Sequence, residues 1–263
     1  MKINLEDLTF LFPVKPDSII RIENLLVTSN YILRYFNTKI FVLEVSTYNN
    51  GIIQKLLNPK IDYSFIEDKD PIFHRTKYRN QMVKEVKTPF LAVWDVDVIV
   101  DKQLIISSME KLRNGEADVA YPFDGKFYDT SEIIRSLFIR KKQIRVLNDN
   151  KERMFLKYGD QHPGGAFIIQ TEKYKKSGME NENFYGWGPE DYERYNRWMN
   201  LGFEIYRAPG CMFHLSHPRD VNGQFNSQRQ KEFARSELIK TQKSSSDELL
   251  KMTIKNTLYE NLS

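Results

Sequence analysis

Residues 89–100 read Pro-Phe-Leu-Ala-Val-Trp-Asp-Val-Asp-Val-Ile-Val, an apolar and β-branched run that carries two carboxylates. This composition predicts a buried strand. Because side chains two apart on an extended strand point to the same face, we expect Asp95 and Asp97 to project together while Val96 turns into the core. A hard cation such as Mn²⁺ or Mg²⁺ would relieve the repulsion between two such carboxylates. A strand end with two solvated acids is the commoner interpretation of an isolated Asp-x-Asp, so other features must decide.

Apolar runs of strand length alternate with helical patterns around this stretch. We predict further strands at residues 8–14, 39–45, 63–66, 118–122 and 164–169, with helices starting near residues 17, 51, 73 and 102. The alternation predicts an α/β fold with a mostly parallel central sheet flanked by helices. Ligands of such sheets bind outside the carboxyl ends of the strands, where Asp95 and Asp97 fall.

Two segments carry many charges. The helix predicted from Phe73 to Val86 turns its basic residues outward, namely Arg75, Lys77, Arg79 and Lys84. Residues 124–160 are less periodic, apart from a basic helix near 132–142. We favour a solvated insertion for this region, with a segment that folds over a substrate as the alternative.

Three motifs in the second half of the chain could contribute to a site. Gly164-Gly165 allows a ligand to approach the backbone closely, although a tight turn would also use such a pair. Pro189 suits the start of a helix that ends near Gly202, with inward-facing aromatic side chains at Tyr192, Tyr195 and Trp198. Trp187 lies between two glycines on the preceding loop and is therefore placed to close on a ligand.

His214 and His217 form a His-x-x-His pair, which is weak evidence by itself. The zinc-protease motif requires Glu at the position of Leu215, and a structural zinc site requires two more ligands than this region offers. The two imidazoles could instead complete a coordination sphere that Asp97 begins.

The composition bounds the function. The chain has 263 residues, 41% hydrophobic, with a net charge of +4 spread over 39 cationic and 35 anionic side chains, which does not favour nucleic acid. One cysteine, Cys211, excludes an internal disulfide and suits a reducing compartment. With no signal-peptide pattern or apolar span, we expect a cytoplasmic protein, and contact of its basic surface with the inner membrane face stays open.

We divide the chain into one domain and a tail. The domain spans residues 1–243, with a nucleotide-binding part at about 1–122 and an acceptor and catalytic part at about 123–243. Ser244-Ser245-Ser246 is interpreted as a linker to a terminal helix at 247–259, within a helical tail of residues 244–263.

The ordered set of motifs resembles the metal-dependent glycosyltransferases of the GT-A fold, most closely the β-1,4-galactosyltransferase family and its bacterial relatives. The resemblance runs from about Phe10 to Arg229 and is strongest from Gly164 onward. It rests on Asp-Val-Asp at 95–97, Gly164-Gly165, Gly178-Met179, Gly-Trp-Gly-Pro-Glu-Asp at 186–191, His-Pro-Arg-Asp at 217–220 and Asn-Ser-Gln-Arg at 226–229.

The resemblance implies a Mn²⁺ (or Mg²⁺) site and a catalytic base. Asp97 and His217 would bind the metal, with Asp95 alongside it. His214 stands where the family often has methionine, which suggests a second imidazole ligand. Asp191 matches the catalytic base.

The resemblance also implies the substrate contacts. The residues expected to bind the UDP-sugar donor are Pro13, Val14, Lys15, Phe73, Arg75, Asp95, Val96, Gly164, Gly165 and Trp187. Those expected to contact the acceptor are Glu190, Trp187 and Tyr185. Asp17 replaces the second of two arginines in the family, and Pro189 replaces a glycine. His162 lies near a position that tunes the donor sugar in the family, so the sugar cannot be assumed to be galactose.

These roles describe an inverting transfer of a hexose from a UDP-sugar to a hydroxyl of a glycan or glycolipid, as in surface polysaccharide synthesis. Two alternatives stay open. A nucleotidyltransferase also uses paired acids on a parallel sheet, but Pro13-Val14-Lys15-Pro16-Asp17 is not a glycine-rich phosphate loop. A non-catalytic sugar-binding homologue would have no use for the acids at 95, 97, 190 and 191.

Overall fold

The structure, a computed structural model, describes residues 1–218 and 221–251. Two parts of the sequence predictions fall outside the described residues: Arg219-Asp220 of the histidine motif, and residues 252–259 of the predicted terminal helix. Residues 246–251 are helical, as predicted for the start of that tail. None of the helices in the described ranges is long and apolar enough to cross a bilayer.

Besides the helical residues 246–251, the described part of the chain forms eleven strands, nine α-helices and two 3₁₀ turns (Lys151–Arg153 and Val221–Gly223). Their order is β1 (Ile3–Val14), α1 (Ile19–Tyr35), β2 (Phe36–Ser46), α2 (Ile52–Leu56), β3 (Asp62–Glu67), α3 (Arg75–Glu85), β4 (Phe90–Trp94), β5 (Val98–Val100), α4 (Lys102–Arg113), β6 (Val119–Tyr121), β7 (Phe127–Asp129), α5 (Glu132–Lys141), α6 (Ile144–Asp149), β8 (Phe155–Tyr158), β9 (Ala166–Gln170), α7 (Thr171–Lys176), α8 (Glu190–Asn200), β10 (Ile205–Arg207), β11 (Met212–His214) and α9 (Gln228–Lys243).

The central sheet has the strand order β10-β6-β9-β4-β1-β2-β3. All its neighbouring pairs are parallel except the two that β9 makes with β4 and β6. The prediction of an α/β fold with a mostly parallel sheet flanked by helices is therefore confirmed. The predicted division near residue 122 stays a prediction.

Residues 89–100, which were predicted as one buried strand, do not form a single strand. β4 ends at Trp94, residues 95–97 form a turn in which Val98 N donates to Asp95 O at 3.2 Å, and β5 joins a second sheet of order β5-β11-β7-β8. The expectation that Asp95 and Asp97 share one face of an extended strand is therefore wrong. The turn instead holds both carboxylates at the carboxyl edge of β4, because the main chain leaves one sheet there and enters the other.

Residues 124–160 are not a solvated insertion, so that preference was wrong. Their elements, from β7 to β8, build the second sheet with β5 and β11. They close a second apolar core with Ile99 and Phe213, in which Ile134, Phe138 and Leu147 are 6%, 0% and 0% exposed. Most of its charged side chains are exposed or half-buried, with Arg135 at 8% exposure as an exception, which is why the sequence alone suggested solvation.

Three helix assignments need correction. Arg79 on α3 was expected to face water but is 2% exposed, and Tyr192 on α8 was expected to pack inward but is 42% exposed. Pro189 is the residue before α8 rather than its first residue. Helix α9, which the sequence analysis did not predict, packs against α8.

Phe138→Ala should lower the free energy of unfolding by about 3–5 kcal/mol, because it empties a fully buried position of the second core. Urea unfolding followed by circular dichroism measures the change. Phe155→Ala is the matched control, since Phe155 is 71% exposed and its loss should change stability by roughly 0.5 kcal/mol or less. Equal effects of the two variants would contradict this packing.

Candidate active site

A cleft of about 370 Å³ opens where the carboxyl ends of β1 and β4 meet the second sheet and the start of α8. Its wall contains all of the predicted site residues except Tyr185: Pro13, Val14, Lys15, Phe73, Arg75, Asp95, Val96, Asp97, Gly164, Gly165, Trp187, Glu190, Asp191, His214 and His217. Residues more than a hundred positions apart in the sequence therefore share one cavity.

Asp97, His214 and His217 form a cluster whose potential ligand atoms all lie within 4.8 Å of one another. The Nε2 atom of His214 lies 3.5 Å from Asp97 Oδ1, and that of His217 lies 3.1 Å from Asp97 Oδ2. β11 carries His214 beside β5, which starts one residue after Asp97. This pairing of β11 with β5 explains why the two motifs meet.

The other imidazole nitrogens of the cluster face acceptors. Nδ1 of His214 lies 2.7 Å from Asp129 Oδ1, and Nδ1 of His217 lies 2.7 Å from Pro218 O. With Nδ1 protonated, each ring directs the Nε2 lone pair toward Asp97. A carboxylate or carbonyl that fixes the tautomer in this way is typical of metal-binding histidines. The donor set therefore fits a divalent cation such as Mn²⁺.

The cluster is electrostatically coupled. Burial raises the pKa of Asp97, but His214 and His217 outweigh it and hold the pKa well below its usual range. Burial lowers the pKa of His214, but Asp97 and then Asp129 raise it to about 10. A metal ligand needs an unprotonated Nε2, so binding of a cation here would release a proton.

Each aspartate of the turn also has an arginine partner that the sequence analysis did not assign to the site. Arg79 Nη2 donates to Asp95 Oδ1 at 3.1 Å, and Arg21 Nη1 lies 3.5 Å from Asp97 Oδ2. Arg21 also contacts Asp17, with 2.8 Å between Nε and Oδ1. The spacing of Asp17 and Arg21, four apart in a predicted helix, was the available signal.

Asp191 lies on the opposite wall, at the start of α8. Its Oδ1 accepts from Arg194 Nη2 at 2.7 Å and lies 3.6 Å from Arg79 Nη1. Burial raises the pKa of Asp191, but the charges of Arg194 and Arg79 outweigh it and lower the pKa to about 2. The carboxylate is therefore ionised at any physiological pH.

Glu190 differs from its neighbour. It is 2% exposed, its Oε1 lies 3.4 Å from Arg75 Nη1, and its Oε2 has no hydrogen-bond partner among the described residues. Burial and then the charge of Asp191 raise the pKa of Glu190 to about 7. Two adjacent carboxyl groups thus have widely separated pKa values, which is a common property of catalytic sites.

Gly164 and His162 complete the wall around Asp191. A Cβ at Gly164 would lie 2.6 Å from Asp191 Oδ2 and 2.7 Å from His162 Nε2, so this position requires glycine. The His162 ring stacks on Tyr158 at 3.9 Å, and its Nδ1 lies 3.1 Å from Tyr192 OH. Burial lowers the pKa of His162 to about 4, which keeps the ring neutral.

Tyr185 is not among the residues that line the cleft, and its contact with an acceptor stays a prediction. Its hydroxyl donates to Asp70 Oδ2 at 2.5 Å on the outer side of the loop. Trp187 does line the cleft, and its ring meets that of Phe225 edge-on at 4.7 Å. Tyr185 and Trp187 flank Gly186 but only Trp187 lines the cleft, a difference that the sequence alone did not resolve.

The chain is similar to known proteins in both sequence and structure. Residues 152–219 match the family model described as the N-terminal domain of galactosyltransferase. No curated protein matches the chain significantly. The catalytic domain of Drosophila β1,4-galactosyltransferase 7, crystallised with xylobiose, is 18% identical with a TM-score of 0.51, over 91% of this chain and 82% of that one. The chain has the GT-A glycosyltransferase fold.

Two further structures with this fold are similar. A mutant of the same Drosophila enzyme, in complex with manganese, UDP-Gal and xylobiose, is 14% identical with a TM-score of 0.51, over 84% of this chain and 77% of that one. A mannosyltransferase from Pyrobaculum calidifontis, in complex with GDP-Man and Mn²⁺, is 11% identical with a TM-score of 0.53, over 82% and 58%. The predicted GT-A fold is thereby confirmed.

Glu190→Gln should stabilise the protein at high pH. The pKa of Glu190 is about 7 in the folded state against an ordinary value of 4.5, so the folded state binds the proton more tightly and wild-type stability falls as pH rises between these values. The variant should exceed wild type by roughly 2–3 kcal/mol near pH 8 and by little near pH 4.5.

Urea unfolding at both pH values measures the difference. Glu172→Gln is the control, because that side chain is 72% exposed and forms an ion pair with Lys175 on the same helix. If the gain in the free energy of unfolding of Glu190→Gln did not grow with pH, the raised pKa of Glu190 would be contradicted.

Proposed function

We propose that the protein is an inverting, metal-dependent glycosyltransferase that moves a hexose from a UDP-sugar to a hydroxyl group of a glycan or glycolipid. The observation that carries the proposal is that the Asp97, His214 and His217 cluster and the ionised Asp191 face the same cleft. The partial match to the galactosyltransferase family model and the structures with UDP-Gal, GDP-Man and manganese support it.

Asp97, His214 and His217 would hold Mn²⁺ (or Mg²⁺), with Asp95 beside them. When bound, the cation would neutralise negative charge on the diphosphate leaving group. Asp129 fixes the tautomer of His214, and Arg79 holds Asp95 in place. The wall formed by Pro13, Val14 and Lys15 on one side, and by Phe73 and Arg75 on the other, would take the nucleotide.

Asp191 would take the proton of the acceptor hydroxyl. Its two guanidinium neighbours make it a weak base, but they also keep it ionised, and the hydroxyl becomes strongly acidic as its oxygen bonds to the sugar carbon. One base opposite the leaving group gives a single displacement, so an α-linked donor yields a β-glycoside. Glu190, with one unpaired buried oxygen, can accept a hydrogen bond from a second acceptor hydroxyl.

Trp187 is placed to keep water from the donor. Its ring lines the cleft beside Glu190 and packs on Phe225, while Gln230 Nε2 donates to the carbonyl of Trp187 at 3.4 Å. Excluding water matters because a hydrolysed donor is lost to transfer.

Asp191→Asn should lower the rate of sugar transfer about a thousandfold, which is the usual contribution of a general base. It should leave the melting-temperature increase that UDP and Mn²⁺ cause in wild type intact, since Asp191 is not one of the residues proposed to bind either ligand. Asp149→Asn, at a 58% exposed position on α6, should transfer like wild type.

A panel of UDP- and GDP-sugars with a glycan acceptor identifies the donor. Normal turnover by Asp191→Asn would show that Asp191 is not the catalytic base. Release of pyrophosphate from a nucleoside triphosphate would indicate a nucleotidyltransferase, and a wild type that UDP and Mn²⁺ do not stabilise would indicate a non-catalytic homologue.

His217→Ala should abolish measurable Mn²⁺ binding, and Asp129→Asn should weaken it roughly tenfold, because the tautomer of His214 is then less firmly fixed. Titration of Mn²⁺ followed by electron paramagnetic resonance gives both dissociation constants. Asp160→Asn, at a 73% exposed position, is the control. Unchanged Mn²⁺ affinity in His217→Ala would place the metal elsewhere.

A further inference from the structure

Arg21 is the one cation in the described residues that touches two members of the metal cluster without being a ligand. It lies in the first turn of α1 and its side chain is 17% exposed, within the cleft wall. Its Nη1 lies 3.5 Å from Asp97 Oδ2 and its Nη2 lies 3.2 Å from His217 Nδ1.

Both contacts oppose a bound cation. The guanidinium charge is close to the carboxylate that a metal needs, so it repels the metal at short range. The contact with His217 acts through the tautomer. If Nδ1 accepts from Arg21, the ring proton is on Nε2, which faces Asp97, and that tautomer cannot bind a metal.

The other tautomer of His217 leaves Nε2 unprotonated and able to bind a metal. If Nδ1 of His217 carries the proton, it donates to Pro218 O at 2.7 Å, and Arg21 has no acceptor on that ring. Its guanidinium then remains tied to Asp17, with 2.8 Å between Nε and Oδ1. Nη2 is free to donate at the edge of the cleft, and Nη1 becomes free when a cation takes Asp97 from it. A diphosphate bound to the same cation is the acceptor that matches a guanidinium there.

We infer that Arg21 couples metal binding to nucleotide binding by exchanging Asp97 and His217 for the diphosphate of the donor. This inference rests on the proposed function and adds a coupling between the binding of its metal and its nucleotide. Metal alone competes with Arg21 for Asp97, and nucleotide alone lacks the cation, so each strengthens the binding of the other. A loosely held metal would therefore be retained chiefly when a donor is present.

Arg21→Met tests the coupling, because it keeps the side chain's apolar stem and removes its charge. Dissociation constants are measured by calorimetry for Mn²⁺ with and without UDP, and for UDP, inorganic pyrophosphate and uridine with Mn²⁺. In wild type, UDP should tighten Mn²⁺ binding about tenfold or more. In Arg21→Met, Mn²⁺ alone should bind more tightly, by about threefold, while UDP and pyrophosphate bind about tenfold more weakly and uridine is unchanged.

Arg34→Met is the matched control, since Arg34 is an exposed residue at the far end of the same helix and donates to Lys142 O at 2.9 Å. Arg21→Lys keeps the charge and serves if the methionine variant does not fold. It should leave Mn²⁺ affinity as in wild type and weaken UDP binding about threefold, since the two-pronged donor is lost.

The outcomes separate the two proposals. Weaker Mn²⁺ binding in Arg21→Met would make Arg21 a structural support of the cluster and overturn the inference, as would unchanged affinities for both ligands. In either case a wild type that binds UDP and Mn²⁺ together leaves the proposed function standing. A wild type that binds neither would overturn both.

Discussion

The buried guanidinium of Arg79 connects the two walls of the site. One nitrogen donates to Asp95 in the turn after β4, and the other lies 3.6 Å from Asp191 at the start of α8 and 3.7 Å from Glu180. A charge that is 2% exposed is very costly unless it is compensated, and here three carboxylates compensate it. The distance across the cleft is therefore fixed by an ion pair network and not by loops alone.

Arg194 extends this network and contributes to the different proton affinities of the neighbouring Asp191 and Glu190. It binds both oxygens of Glu180 at 2.8 Å and Asp191 at 2.7 Å, so Asp191 is held as an anion. Glu190 points to the other side of the helix start, where Arg75 is the nearest cation at 3.4 Å. Adjacent positions in the sequence thus acquire different proton affinities because they meet different sides of the protein.

Much of the fold and the site could be predicted from the sequence, for reasons that show where such reasoning ends. Hydrophobic period and spacing located β1, β2, β3, β4, β6 and β9, but not the short strands β7, β8, β10 and β11. The unusual residues at 95–97, 186–191 and 214–217 marked the cleft. Hydrophobic periodicity does not indicate where a strand leaves its sheet, so the turn at Asp95 was not predicted. Arg79 was expected to be solvated because it is a basic residue in a helix. Two of the three carboxylates that compensate its charge, Glu180 and Asp191, lie about a hundred positions later, where no local pattern can indicate them.

The antiparallel strand β9 has a consequence for how the chain assembles. It lies between β4 and β6, so the segment completed by residue 122 cannot join its own last strand to the first four until residue 170 has been made. During synthesis β4 would present an unsatisfied edge for tens of residues, a hazard for association with other chains. The middle of the sheet closes from the second half of the chain, so residues 1–122 are not a self-sufficient folding unit.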